Sequence, residues 1–160
     1  MKNRKNLEVI SHSFENNGLM PKRHTGFGED SSPPFELKNL APEAVSIAII
    51  MDDLDIPLIE AYNHWLIWNT PKSETISENI PYGSIVPVLG DAKQGCGYGR
   101  NRYRGPKQPV FVRNSHRYLF QFYVLDCFLE LDSSARKKQL LEAMNGHIMQ
   151  QSSITGIYKR

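Results

Sequence analysis

The chain has 160 residues, 40% of them hydrophobic, and a formal net charge of +2. That length suits one domain with a real core rather than two, and that apolar fraction argues against disorder. The near-balanced charge excludes a polybasic nucleic-acid binder: Lys2-Asn3-Arg4-Lys5 reads with residues 1–6 as a flexible tail, and Arg100-Asn101-Arg102-Tyr103-Arg104 comes with no recognition motif.

Taken in chain order, Leu7 to Phe14 alternates, with Glu8, Ile10, His12 and Phe14 on one side, as in a half-buried strand. Residues 1–20 hold no apolar core of a secretory signal. Residues 16–34 are broken by glycine and proline and read as loop. Val45 to Met51 is a continuous apolar run, which predicts a central strand buried on both faces. His64 to Asn69 predicts the next strand, with His64, Leu66 and Trp68 sharing a face. Ser84 to Leu89 is a weaker strand that Pro87 confines to an edge or a bulge. Residues 90–109 hold five glycines and two prolines and predict a long irregular loop of functional kind.

His116 to Asp126 carries the longest strand pattern. His116, Tyr118, Phe120, Phe122 and Val124 fall on one face, and Arg117, Leu119, Gln121 and Tyr123 on the other. A helix is predicted from about Ser134 to Gln150, capped by Asp132 or Ser133, with Leu140, Leu141, Met144 and Ile148 as its apolar stripe. Ile154 to Tyr158 closes the chain as a short strand. Many strands, one late helix and no βαβ rhythm predict a mainly β chain, an antiparallel β-sandwich with a peripheral C-terminal helix, in a single domain spanning 1–160. No run reaches the length of a membrane span. Cys96 and Cys127 match neither a disulfide framework nor a zinc spacing, so a reduced, cytoplasmic protein is the expectation.

Two segments concentrate the chemistry. Asp53-Leu54-Asp55-Ile56-Pro57 precedes His64-Trp65, and Gly105-Pro106 precedes His116-Arg117-Tyr118. A carboxylate, two imidazoles and a phenol at strand ends can converge on one polar pocket with apolar walls. From spacing alone, His64 and His116 read more readily as core histidines satisfied by Asp53 or by backbone than as ligand groups. Asp55 reads equally as a turn cap before Pro57. A cation held by Asp53 and the two histidines is a weaker alternative, because no His-X-X-X-His spacing supports it. Ser115 lies beside His116, but neighbours on a strand point to opposite faces. No Gly-X-Ser-X-Gly elbow is present either, so an enzyme is not expected, and a hydrolase or isomerase using His116 and Asp53 as an acid–base pair is the weakest alternative.

These motifs resemble those of the phosphatidylethanolamine-binding protein family, in its bacterial and archaeal Raf-kinase-inhibitor-like branch. Asp53-Leu54-Asp55-Ile56-Pro57 is similar to the family's Asp-Pro-Asp-Ala-Pro. His64-Trp65 through Asn69-Thr70-Pro71, the loop Gly95 to Pro106 and the strand opening His116-Arg117-Tyr118 follow in family order. Gly28-Glu29-Asp30-Ser31-Ser32-Pro33-Pro34 supplies an earlier block. Departures fall on the rim. Gly26 and Phe27 stand where relatives often show Cys-Asp, Leu37 stands for Trp, and Lys107-Gln108-Pro109 replaces Cys-Pro-Pro after Gly105-Pro106.

The resemblance implies that Asp53, His64, Gly105, Pro106, His116 and Tyr118 line a small anion pocket, with Asp55 beside it, and that Ile56–Pro57 is a cis peptide. It implies a non-enzymatic binding protein for phosphate-bearing head groups or phosphorylated small molecules, with no cofactor and no metal. It also raises a second class, a regulator of a partner kinase or protease acting through the pocket rim. Relatives often pair, and no C-terminal helix follows Tyr158 to cover the rim, so a homodimer is expected.

Overall fold

The computed structural model describes residues 5–160, so four of the six residues read as a tail lie outside it. Strands β1 (Glu8–Ile10), β3 (Phe35–Lys38) and β6 (Thr75–Ile76) pair in the order β1-β3-β6. The remaining strands are β2 (Gly18–Leu19), β4 (Ser46–Asp53), β5 (Tyr62–Pro71), β7 (Ile85–Val86), β8 (Ala92–Gln94), β9 (Ser115–Leu125) and β10 (Ile148–Lys159). They form one large sheet in the order β2-β10-β9-β4-β5-β8-β7. Its pairs are antiparallel except for the two-residue parallel contact of β2 with β10.

The large sheet is covered on both faces. Val9, Phe35, Leu37 and Ile76 of the small sheet, with Leu7 just before β1, pack against Ile47, Ile49, Phe120, Phe122 and Val124. On the opposite face, Leu140 and Met144 of the helix α1 (Lys137–Met144) pack on Ala48, Ile50, Leu66, Trp68 and Leu125. This double cover is why all eight residues of β4 are buried, as its unbroken apolar run predicts. The fold is therefore mainly β, with sheet stacked on sheet and one late helix.

The helix is shorter than its apolar periodicity predicts. Asp132 caps a turn instead, accepting from Ser134 N at 2.8 Å, and the helix starts at Lys137, where the Arg136 amide donates to Gln139 Oε1 at 3.0 Å. It stops before Gly146, whose φ of +84° reverses the chain. Ile148 is a strand residue, and the expected short final strand becomes twelve residues because β9 offers a full antiparallel ladder from Leu125 to Ser115. Leu141 and Ile148 are exposed, so the stripe narrows to Leu140 and Met144. The first strand is also shorter than read. Leu7 and Val9 face the core with Phe14, and the chain turns after Ile10. Strand β8 was not legible within the glycine-rich stretch. Ile85–Val86 is an edge strand that ends at Pro87, as expected.

Two β-bulges in β5 set the geometry that follows. Ile47 pairs with Thr70 but Ile49 with Ile67, and Met51 pairs with Trp65 but Asp52 with Asn63, so β5 carries one extra residue at each place. At the first bulge Asn69 takes φ +60°. Its side chain donates to Leu129 O at 2.9 Å and accepts from Leu129 N at 2.7 Å, tying the sheet to the segment before α1. Asn69→Ala would lose both bonds and leave a Cβ residue in the left-handed region. We expect it to cost about 2–3 kcal/mol in urea unfolding. Asn69→Gly should recover part of that, about 1 kcal/mol, by relieving the backbone. Equal stabilities of the parent and the alanine variant would refute this role.

Candidate functional site

The second bulge places His64. Strict alternation would put it with Leu66 and Trp68 under the helix, as its spacing suggests. The extra residue turns it to the inner face, with its ring 5.3 Å from Tyr118 and 4.9 Å from Tyr98. Asp53, at the end of β4, and Tyr118, near the start of β9, lie on the same face. The three line a cavity of about 180 Å³. Tyr62 and Tyr98 wall it, and Ile56, Lys107, Gln108 and Pro109 complete the lining. A larger groove of about 380 Å³ runs between β1 and β10, but its lining brings no such convergence of buried polar groups.

The polar network is tight. Asp53 is 1% exposed. Its carboxylate accepts from His116 Nδ1 at 2.7 Å and from the Asp55 amide at 2.8 Å. His64 donates Nδ1–H to Arg104 O at 2.8 Å, which leaves Nε2 without a hydrogen bond among the described residues. Burial holds the His64 pKa below the ordinary imidazole value, so the ring is neutral at pH 7 and Nε2 is an acceptor. The Tyr118 hydroxyl donates to Gln108 Oε1 at 2.9 Å, and burial, reinforced by the charge of Asp53, raises its pKa. Lys107 is the one cation of the lining. Its ammonium donates to Gly26 O at 3.0 Å.

Of the residues expected at the pocket, Asp53, His64 and Tyr118 come together on the cavity wall. His116 stands behind Asp53, fully buried and off the lining, with Nε2 left without a hydrogen bond among the described residues. Gly105 and Pro106 lie beside the cavity, not on it. The Gly105 amide donates to Asp30 Oδ1 at 2.7 Å, and a Cβ there would strike the His24 carbonyl. Its glycine serves contact between two loops, and Pro106 O accepts from Gly26 N at 2.8 Å in the same contact.

Asp55 faces away from the cavity. It accepts from the Arg117 amide at 2.7 Å and from the Arg117 guanidinium at 3.0 and 3.1 Å, and these bonds lower its pKa. The Ile56–Pro57 bond is trans, not cis as expected. Pro57 sits second in a turn closed by Ile59 N donating to Ile56 O at 3.3 Å, and Leu58 supplies the reversal at φ +66°.

Sequence reasoning missed Tyr62, Tyr98, Lys107 and Gln108. For the last two a signal existed, since they occupy the stretch where the family pattern breaks.

Burial lowers the pKa of both His24 and His64. The unfolded chain therefore binds protons at these positions as pH falls below about 6.5 while the folded chain resists them. Stability should be full above that pH and decline toward pH 5. Urea midpoints at pH 7.5, 6 and 5 test this, and His64→Gln should flatten part of the decline. A profile that rises toward pH 5 would contradict it.

The chain matches the phosphatidylethanolamine-binding protein family over residues 10–159. It is 38% identical over 155 residues to a UPF0098 protein of Methanothermobacter thermautotrophicus, covering 96% of this chain and 99% of that one. A UPF0098 protein of Aquifex aeolicus is 36% identical over 157 residues, covering 96% and 89%. Among solved structures, a phosphatidylethanolamine-binding protein homolog of Chlamydia trachomatis aligns with a TM-score of 0.84 at 28% identity, covering 97% and 98%. Escherichia coli YbcL aligns at 0.85 and 20% identity, covering 98% and 99%, a likeness of fold. With the match running through every strand of the pocket, the chain belongs to the phosphatidylethanolamine-binding protein family.

Proposed function

We propose that this chain is a non-enzymatic binding protein whose cavity takes a small phosphate-bearing group, either a phospholipid head group or a phosphorylated small molecule. The observation that carries the reading is the convergence of Asp53, His64 and Tyr118 from three adjacent strands on one cavity that also holds Lys107. At about 180 Å³ the cavity is below the size of drug-sized ligand sites and suits a head group without its acyl chains. The loop over residues 90–109 folds inward. Tyr103 is buried, Arg102 pairs with Asp30 at 3.1 Å, and Arg104 gives its carbonyl to His64. That supports a small ligand over a binding patch made of these arginines. Ser115 is exposed while His116 is buried beneath it, which supports a role without serine nucleophile chemistry. Cys96 and Cys127 are unpaired, in keeping with a reducing, cytoplasmic setting. No described helix is long and apolar enough to cross a membrane.

A phosphate oxygen that enters beside Asp53 meets a carboxylate and the bare Nε2 of a neutral imidazole. Binding therefore takes up a proton at His64, and Lys107 turns from Gly26 toward the anion. Calorimetric titration with phosphoethanolamine should show tighter binding at pH 6 than at pH 8, with a heat that depends on the buffer's ionisation enthalpy. His64→Ala should weaken binding by about 1.5–3 kcal/mol, the value of a charge-assisted hydrogen bond. Ser115→Ala, on the opposite strand face, should leave it unchanged. Tighter binding at pH 8, or equal losses in the two variants, would rule out the reading.

A second reading, a protein partner at the rim, draws on exposed apolar tips. Leu58 and Ile59 follow Ile56 on one side of the mouth, and Val110 and Phe111 follow Pro109 on another. This surface suits a partner kinase or protease, or a second copy of the chain in a homodimer. Sedimentation at tens of micromolar should show a species above 18.3 kDa that Phe111→Asp returns to the monomer. A monomer throughout would remove the homodimer.

A further inference from the structure

A second cluster of chemistry-bearing side chains lies at the far end of β9. Tyr118 and Asp126 are eight residues apart along that strand, so about 25 Å separates the cluster from the cavity. Asp126 and Cys127 leave β9 just after Leu125. After α1 the chain reverses at Gly146, and His147 returns beside Asp126. The backbone fixes this return: His147 N donates to Met144 O at 2.9 Å, and Asp126 N donates to His147 O at 3.1 Å. Cys127 is fixed too, because its carbonyl accepts from Ser46 Oγ at 2.6 Å. The side chains converge. His147 Nδ1 lies 2.9 Å from Asp126 Oδ1, and one sulfur, one nitrogen and one oxygen from the three residues all fall within 4.8 Å of one another.

We propose that Asp126, Cys127 and His147 form a binding site for a thiophilic divalent cation of the zinc class. The donor set is the first argument. A thiolate with an imidazole suits zinc, and both disfavour calcium and magnesium, which take oxygen ligands. Geometry is the second. Zinc bonds of about 2.0–2.3 Å place tetrahedral ligand atoms roughly 3.3–3.7 Å apart, within reach of the observed cluster by small side-chain rotations. Access is the third. Asp126 and His147 are exposed and Cys127 is half-buried, so a fourth position stays open to water. A bound cation would pin the turn between α1 and β10 to the end of β9. No spacing in the sequence displays the site, since Cys127 and His147 are twenty residues apart and meet only because the β10 ladder returns to Leu125.

The probe is cobalt, added to the full chain and then displaced by zinc. One equivalent should produce thiolate-to-cobalt charge-transfer absorption in the near ultraviolet, with visible bands of tetrahedral intensity. Cys127→Ser should abolish the charge-transfer band, whereas Cys96→Ser, at the other thiol, should keep it. His147→Ala should weaken zinc binding about tenfold or more. Zinc should raise the melting temperature of the parent chain and not that of Cys127→Ser. Absence of a thiolate band, its survival in Cys127→Ser, or its loss in Cys96→Ser would overturn the proposal. The cavity residues are untouched by these variants, so the result stands or falls apart from phosphate binding.

Discussion

The pocket end of this fold is organised around one buried carboxylate. Asp53 ends the central strand at 1% exposure, where an unpaired charge would carry a large desolvation penalty. The chain answers it with the His116 imidazole on the neighbouring strand and with the Asp55 amide in the turn that follows. Each answer constrains something else. His116 must be buried to reach Asp53, which draws β9 into register with β4 through the pair Asp53 and Tyr118. The Asp55 amide can point back only if the chain turns sharply, and the Asp55 side chain holds that turn by gripping Arg117.

A second carboxylate repeats the device at loop level. Asp30 is nearly buried, and it accepts from the Gly105 amide and from Arg102. Tyr103 donates to His24 O at 2.7 Å between these contacts. The early Gly-Glu-Asp block and the glycine-rich loop are thus one unit, although 75 residues separate Asp30 from Gly105. That unit presents Arg104 O to His64, so the orientation of a cavity imidazole depends on a carboxylate that never touches the cavity.

What was legible in the sequence follows from this arrangement. The central strand and β9 announced themselves because burial on both faces, or strict alternation, leaves a direct trace in residue type. The pocket trio was within reach through strand-end polar residues and the family motifs. The side of the sheet that His64 faces was not, because a bulge is an insertion relative to a partner strand and appears only once the pairing is known. The helix was overread for a related reason. Leu141 and Ile148 fit a helical stripe, but the β9 ladder captures the chain from Ile148 onward. Gly105 was placed on the pocket lining when the atom that comes close to it is the His24 carbonyl, a contact between residues far apart in sequence.

The rim residues that differ from the family pattern bear directly on the cavity's chemistry. Gln108 is buried. It accepts the Tyr118 hydroxyl and passes its own amide to Tyr158 O, so the phenol is already engaged within the protein. Lys107 is held by Gly26 O beside the Phe27 ring. The donors that an anion needs are thus partly spent inside the fold, while two acceptors, Asp53 and neutral His64, face the space. Such a lining is a poor match for a fully ionised phosphate in isolation. It is a better match for a group that brings both an anionic oxygen and a proton or ammonium of its own. On the proposed reading, selectivity comes from this mixture of donors and acceptors and not from positive charge alone.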